Sequence, residues 1–386
     1  MNIALLLAGQ GTKFPAETVR TWLEEEDTLA LIEQAEAVLG EPVREWFSGD
    51  LSKDTRLAQL ATYVGSMCMY QLYRKKIGLY PRYVLGHSLG ELTALTIAGA
   101  WSYEEGLRLV DLRGTAMKTA IGSQESTGMM AIFAPPETVQ ALVKEDSGVY
   151  IANYNSAKQT VISGGREAIQ AFAAANGLEG VVLGVSGAFH TPYMQTAADS
   201  VYAALEGWSC QTHLSMHVIG NREAGLYRTE RVREEIAAQI VHPVLWKQSV
   251  DYALKQGVQR FIDLSPGGMF AGMLAGQAKV DAFHTEALRE VLAAELKDDL
   301  EVDRHYDLFS RALGVIVSTK NGSDDAEAYD HVVVSGYNQI KSQIGKPVTA
   351  EEVRRTLELL ELILKTKKVP EEQIHYHCRK LAWKAG

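Results

Sequence analysis

Cysteine is scarce in this chain: three residues, Cys68, Cys210 and Cys378, lie far apart. That spacing makes neither a disulfide framework nor a zinc motif, and it points to a reducing, cytoplasmic setting. Long apolar runs are also missing; none approaches the ~18 residues a membrane-spanning helix needs. The apolar start, Met1-Asn2-Ile3-Ala4-Leu5-Leu6-Leu7-Ala8, is too short for a signal peptide and lacks its basic leader. It runs straight into Gly9-Gln10-Gly11 and reads as a first strand. Positive charge is in deficit, with 38 Lys and Arg against 48 Asp and Glu, a formal net charge of -10. This argues against nucleic acid as a main partner, and an anionic ligand would need a local basic patch. There is no internal repeat and no low-complexity tract.

What the chain does have is length and apolar content. At 386 residues, 46% hydrophobic and 22% charged, it has the composition of a soluble globular protein with two or three domains. Its organising stretch is Tyr83-Val84-Leu85-Gly86-His87-Ser88-Leu89-Gly90-Glu91. An apolar strand pattern runs into Gly-x-Ser-x-Gly and then into a helical pattern, the order of a nucleophile elbow. Glycines flank the serine because the backbone turns too sharply for a Cβ. The following helix points its N-terminus at the place where an oxyanion would develop. Gly9-Gln10-Gly11-Thr12 is a second turn at a strand's C-terminal end, the edge at which open α/β sheets bind ligands.

Residues 16–77 are mostly helical by pattern, and a helix near 103–119 carries Arg113. The character then changes. Strands at 128–134, 149–154, 160–163 and 181–185 alternate with helices at 136–144 and 166–175 in the order β-α-β-β-α-β, the ferredoxin-like pattern. The chain is therefore read as an α/β protein in three parts. A hydrolase-like large domain with a parallel sheet covers 1–125 and 192–297, a ferredoxin-like small domain is inserted at 126–191, and a helical extension occupies 298–386. Strands near 215–220 and 259–264 belong to the large domain. In the extension, Thr349-Ala350-Glu351-Glu352 is a capping box, and a last helix after Pro370 carries Ile374 and Leu381.

A serine nucleophile needs a base. The hydrolase order of serine, acid, histidine is available as Ser88, Asp263 and His284. His190, at the exit of the inserted domain, is the other candidate, and spacing does not choose between them. His87, His242, His331, His375 and His377 read as packing or surface groups.

Taken together, several pieces resemble the malonyl-CoA:acyl carrier protein transacylase family. They are Gly9-Gln10-Gly11, Gln59, GHSLGE at 86–91, Arg113 in LRGTAM, and Asn153-Tyr154-Asn155-Ser156. GAFHTPYM at 187–194, HPVLWKQSV at 242–250 and LSPGG at 264–268 follow in the same order. The resemblance spans roughly residues 1–290 and leaves the tail beyond about 298 uncovered. It implies Ser88 as the nucleophile and His190 as its base. The histidine would be oriented by backbone carbonyls near Pro243-Val244-Leu245, with Leu245 standing where the family commonly has a polar residue. It further implies an oxyanion hole from the backbone N–H groups of Gln10 and Leu89. Arg113 would hold the malonyl carboxylate with two parallel hydrogen bonds. Phe189 resembles the aromatic residue that crowds an α-methyl branch, and Gln59 and Asn155 resemble polar pocket residues.

The implied reaction is ping-pong: malonyl passes from malonyl-CoA to Ser88 and on to the phosphopantetheine thiol of an acyl carrier protein. No metal or redox cofactor is called for. Basic residues at the cleft mouth would serve the acidic partners, with Arg166, Lys158 and Arg222 as candidates. Two other readings stay open: an esterase or thioesterase built on Ser88, Asp263 and His284, and a non-catalytic carrier-binding scaffold.

Overall fold

The computed structural model describes residues 2–122, 126–144, 147–211, 213–305 and 307–385, so the expected boundary at residue 125 lies outside the described residues. The chain divides into two compact units, one of Met1–Lys76 with Pro81–Leu292, the other of Ile77–Tyr80 with Ala293–Gly386.

The first unit holds two sheets. Strand β1 (Ile3–Leu7) is apolar and buried at every position, the pattern of a central strand covered on both faces. It pairs in parallel with β2 (Tyr83–Gly86) on one side and β8 (Arg260–Asp263) on the other. Strands β7 (His217–Ile219) and β9 (Val280–Ala282) complete an all-parallel sheet in the order β7-β2-β1-β8-β9. Helix Gly90–Ile97 packs on β1 and β2, helices Thr55–Lys76 and Tyr103–Gly122 pack on it and on each other, and both of these carry site residues on their buried faces.

The second sheet is antiparallel and contains β3 (Thr127–Ile132), β4 (Val149–Ser156), β5 (Gln159–Gly165) and β6 (Gly180–Val182). Its order, β4-β5-β3-β6, with helices Pro136–Leu142 and Arg166–Ala175 between strands, is the ferredoxin-like arrangement expected from the pattern. Strand β6 stops at Val182; the Leu183 N–H makes one more bond to β3, at the Met129 carbonyl, and residues 183–185 line a cavity. Strand β4 is tied near the site to the segment that follows helix Val232–Val241. Val244 N–H donates to the Ala152 carbonyl at 2.8 Å, and Tyr154 N–H donates to the Val244 carbonyl at 2.9 Å.

The second unit is helical and has its own core, in which Phe309, Ala312, Leu360, Ile363 and Leu364 are fully buried. The Thr349 and Glu352 capping box opens helix Ala350–Thr366, and Ile374 and Leu381 of helix Glu371–Ala385 close over the core. Lys367 is buried, and among the described residues no carboxylate pairs with it. Its ammonium caps the end of helix Leu308–Ser318, donating to the carbonyls of Ile316 and Thr319 and to Thr319 Oγ1. Among the described residues, no helix is long and apolar enough to cross a membrane.

Candidate active site

At the end of β2 the chain makes the elbow, with Ser88 in the left-handed region at φ 51°. Both flanking glycines are sterically required. A Cβ on Gly86 would lie 1.8 Å from the Gly90 carbonyl oxygen, and one on Gly90 would lie 2.4 Å from that of Leu7. The strained serine is tied at both ends of its peptide. Its N–H donates to Asn221 Oδ1 at 2.7 Å, and its carbonyl accepts from Gln239 Nε2 at 2.8 Å. Asn221 sits just past β7, beside the elbow strand. It also donates through Nδ2 to the Gly86 carbonyl and through its N–H to Glu91 Oε2.

His190 also adopts positive φ, 60°, and is buried. Its Nε2 lies 2.7 Å from Ser88 Oγ, and its Nδ1 lies 3.0 Å from the backbone carbonyl of Gln239. A carbonyl can only accept, so Nδ1 carries the proton and Nε2 presents its lone pair to the serine hydroxyl. The expected orienting carbonyl, that of Leu245, does something else: it accepts from the N–H and hydroxyl of Ser249, while the Leu245 N–H holds the Asn221 carbonyl. The reason is helical arithmetic. Gln239 is in the last turn of helix Val232–Val241, and the residue four positions on is Pro243, which has no N–H. The Gln239 carbonyl is thus left free for the imidazole. Burial foremost, then the nearby Arg113 charge, holds the His190 pKa down to about 3, so the ring is neutral at rest.

Arg113 enters from helix Tyr103–Gly122 and is 1% exposed. It donates through Nη1 to Gln59 Oε1 at 2.5 Å and through Nη2 to Gln239 Oε1 at 3.0 Å and Ser88 Oγ at 3.4 Å. Its Nε is buried without a partner. Among the described residues no carboxylate forms an ion pair with it; Asp111 of the same helix is held by Arg56. Burial lowers its pKa to about 10, and Glu91 is the charge that opposes the shift. A buried guanidinium held by two neutral amide carbonyls is a cation in need of an anion.

Ser88, His190 and Arg113 line a cavity of about 330 Å³ together with Gln10, Asn155 and Phe189. The backbone N–H groups of Gln10 and Leu89 make no hydrogen bond among the described residues, whereas those of Gly90, Glu91 and Leu92 are engaged in the turn. Thr55 Oγ1 donates to the Gln10 side chain at 2.7 Å and fixes that loop. Asn155 accepts from His87 Nε2 at 2.9 Å and donates to Gln159 Oε1 at 2.8 Å, and His87 also packs its edge on Trp246. Arg222 is held by Glu235 at 2.7 Å and is therefore no free basic group at the mouth.

The alternative triad is not assembled. The Asp263 carboxylate accepts from the N–H and hydroxyl of Ser265 and the N–H groups of Phe270 and Ala271, shaping the turn after β8. His284 packs against Gly268 with its Nδ1 buried and unpaired, and neither group bonds Ser88. A carboxylate at a strand end followed by Ser-Pro-Gly-Gly is a turn former before it is a catalytic acid. Asn221 and Gln239 were not expected from sequence. A proline four residues after a helical glutamine, and an asparagine ending a strand beside the elbow, are the signals that could have found them.

Residues 19–315 match the acyl transferase domain family. A malonyl CoA-acyl carrier protein transacylase of Bacillus subtilis is 29% identical over 96% of this chain and 97% of its own length, so its similarity runs through the helical extension. A polyketide biosynthesis malonyl CoA-acyl carrier protein transacylase of Bacillus velezensis is 33% identical over 70% of this chain and 95% of its own. Among solved structures, a malonyl-transacylase in complex with a type II polyketide synthase acyl-carrier protein superposes with a TM-score of 0.71. It is 25% identical and covers 76% of this chain and 100% of that one. The chain belongs to the acyl transferase domain family, within its malonyl CoA-acyl carrier protein transacylases.

Proposed function

We propose that the protein transfers a malonyl group from malonyl-CoA to the phosphopantetheine thiol of an acyl carrier protein, through a malonyl ester of Ser88. The observation that carries this reading is Arg113, a buried guanidinium with no carboxylate partner among the described residues, 3.4 Å from the serine oxygen. An acyl group on Ser88 that itself ends in a carboxylate supplies the missing anion, and a bidentate Arg–carboxylate pair fixes its orientation.

In the first half-reaction, neutral His190 takes the Ser88 proton as Oγ attacks the thioester carbonyl. The N–H groups of Gln10 and Leu89 receive the oxyanion, and the imidazolium returns its proton to the departing coenzyme A sulfur. In the second, His190 takes the proton of the incoming carrier thiol. That sulfur attacks the ester, and Ser88 recovers the proton as its C–O bond breaks. The transfer moves an acyl group between two thiols and changes no oxidation state. The three dispersed free cysteines agree with the cytoplasmic setting this reading assumes.

Incubation of the intact protein with malonyl-CoA should give one malonyl adduct by mass. Ser88→Ala should give none, and the adduct should discharge on a carrier protein bearing phosphopantetheine but not on one lacking it. A chain that gains no adduct is a scaffold, and the proposal is then wrong.

The pH dependence follows from His190. A base whose pKa is lowered from 6.5 to about 3 by burial stays neutral, and so competent, as pH falls. The burst of coenzyme A release should therefore show no loss assignable to His190 between about pH 8 and pH 5, where an ordinary histidine would lose its base form. Glu91, raised to about 7 by burial, titrates in that window; a break that persists in Glu91→Gln gives the base an ordinary pKa and contradicts the lowered pKa of His190.

A further inference from the structure

Gln239 meets nucleophile, base and guanidinium at once. Its backbone carbonyl holds His190 Nδ1 at 3.0 Å, its Oε1 accepts from Arg113 Nη2 at 3.0 Å, and its Nε2 donates to the Ser88 carbonyl at 2.8 Å and to Glu91 Oε1 at 3.3 Å. It is 3% exposed, on a helix that contributes no catalytic side chain. We propose that the Gln239 side chain is a specificity-determining positioning residue: it aims Arg113 at the acyl group on Ser88 while leaving the guanidinium charge free for the substrate carboxylate.

The amide is the only side-chain type that meets the local demands. Ser88 and Glu91 present acceptors, so the –NH2 end must face them, and this forces Oε1 toward Arg113. The amide therefore has one orientation and fixes the guanidinium plane through it. Neutrality matters as much as geometry. A carboxylate at this position would pair with Arg113 internally and compete with the ligand; an apolar side chain would leave Arg113 Nη2 without its anchor beside the nucleophile. Gln59 Oε1 gives a second neutral anchor on Nη1. Two amide carbonyls define the plane without cancelling the charge. Because the main chain of the same residue orients the base, the cargo-selecting and proton-transferring groups share one support.

The inference rests on Arg113 binding the malonyl carboxylate, and the experiment separates the two. Pre-steady-state acylation is measured with malonyl-CoA and acetyl-CoA for the wild-type chain, Gln239→Met, Gln239→Glu and Arg113→Met, with thermal melting of each. Gln239→Met keeps length and the backbone carbonyl but removes all three side-chain bonds. Its ratio of malonyl to acetyl kcat/KM should fall at least about tenfold, through KM for malonyl-CoA, as expected for losing a hydrogen bond to a charged group. Gln239→Glu should fall further, because an internal carboxylate then occupies Arg113. If both variants lose malonyl and acetyl acylation in equal proportion, or keep the wild-type ratio, while Arg113→Met loses it, Gln239 is a structural support only and the inference fails. If Arg113→Met itself keeps the ratio, the underlying assignment of Arg113 is what fails. Should Gln239→Met melt before assay, Gln239→Glu, which retains the Oε1 acceptor, supplies the same comparison.

Discussion

Replacing His190 by alanine should lower the rate of Ser88 acylation by about two to four orders of magnitude, the range of a positioned general base. His284→Ala should leave that rate within a few-fold. The contrast is geometric. The His190 imidazole is 2.7 Å from Ser88 Oγ, and its other nitrogen is locked by the Gln239 carbonyl, so tautomer and direction are both set before substrate arrives. His284 has an unpaired Nδ1 against Gly268, and the acid that would orient it, Asp263, already caps the turn at Ser265. Replacement of His284 therefore removes packing and no proton acceptor. The burst of coenzyme A release with malonyl-CoA as sole substrate reads the acylation step alone. A loss with His284→Ala as deep as that with His190→Ala would overturn the base assignment and restore the hydrolase-type triad.

That contrast also shows what could be read from the chain and what could not. The elbow was legible because its steric demands are local. Gly86 and Gly90 have no substitute when a Cβ would sit 1.8 Å and 2.4 Å from backbone, and an apolar strand before with a helix after is a contiguous pattern. The ferredoxin-like order was legible for the same reason, as a succession of periodicities within about 60 residues. The partner of His190 was not. It depends on a missing donor at Pro243 making a carbonyl one helical turn earlier available to a residue 49 positions away. The resemblance pointed to the right segment but to Leu245, whose carbonyl Ser249 takes. Asn221 escaped notice because a lone asparagine after a three-residue strand carries no periodic signal; its importance comes only from β7 lying next to β2.

Arg113→Met should reduce kcat/KM for malonyl-CoA by two to three orders of magnitude or more, corresponding to about 3–5 kcal/mol for stripping one member from a buried charge pair. Acetyl-CoA, which offers no carboxylate, should lose far less, so the preference between the two collapses. The resting structure explains the size of the effect. Arg113 is already desolvated and carries the energetic penalty of burial before substrate binds, which is why its pKa sits near 10 rather than 12.5. The carboxylate of the substrate relieves that penalty, and an acetyl group cannot. The same argument gives an unusual expectation for stability. Methionine removes a buried unpaired charge and an orphaned Nε, at the cost of leaving the carbonyls of Gln59 and Gln239 without their donor. The melting temperature should consequently change little, or rise, while malonyl transfer is lost. Activity and stability move apart because the site keeps a strained charge for its ligand. Parallel kinetics with the two thioesters, together with a thermal melt, test this directly. Equal losses for malonyl and acetyl, or a melting temperature that drops along with activity, would mean that Arg113 supports the fold and does not select the acyl group.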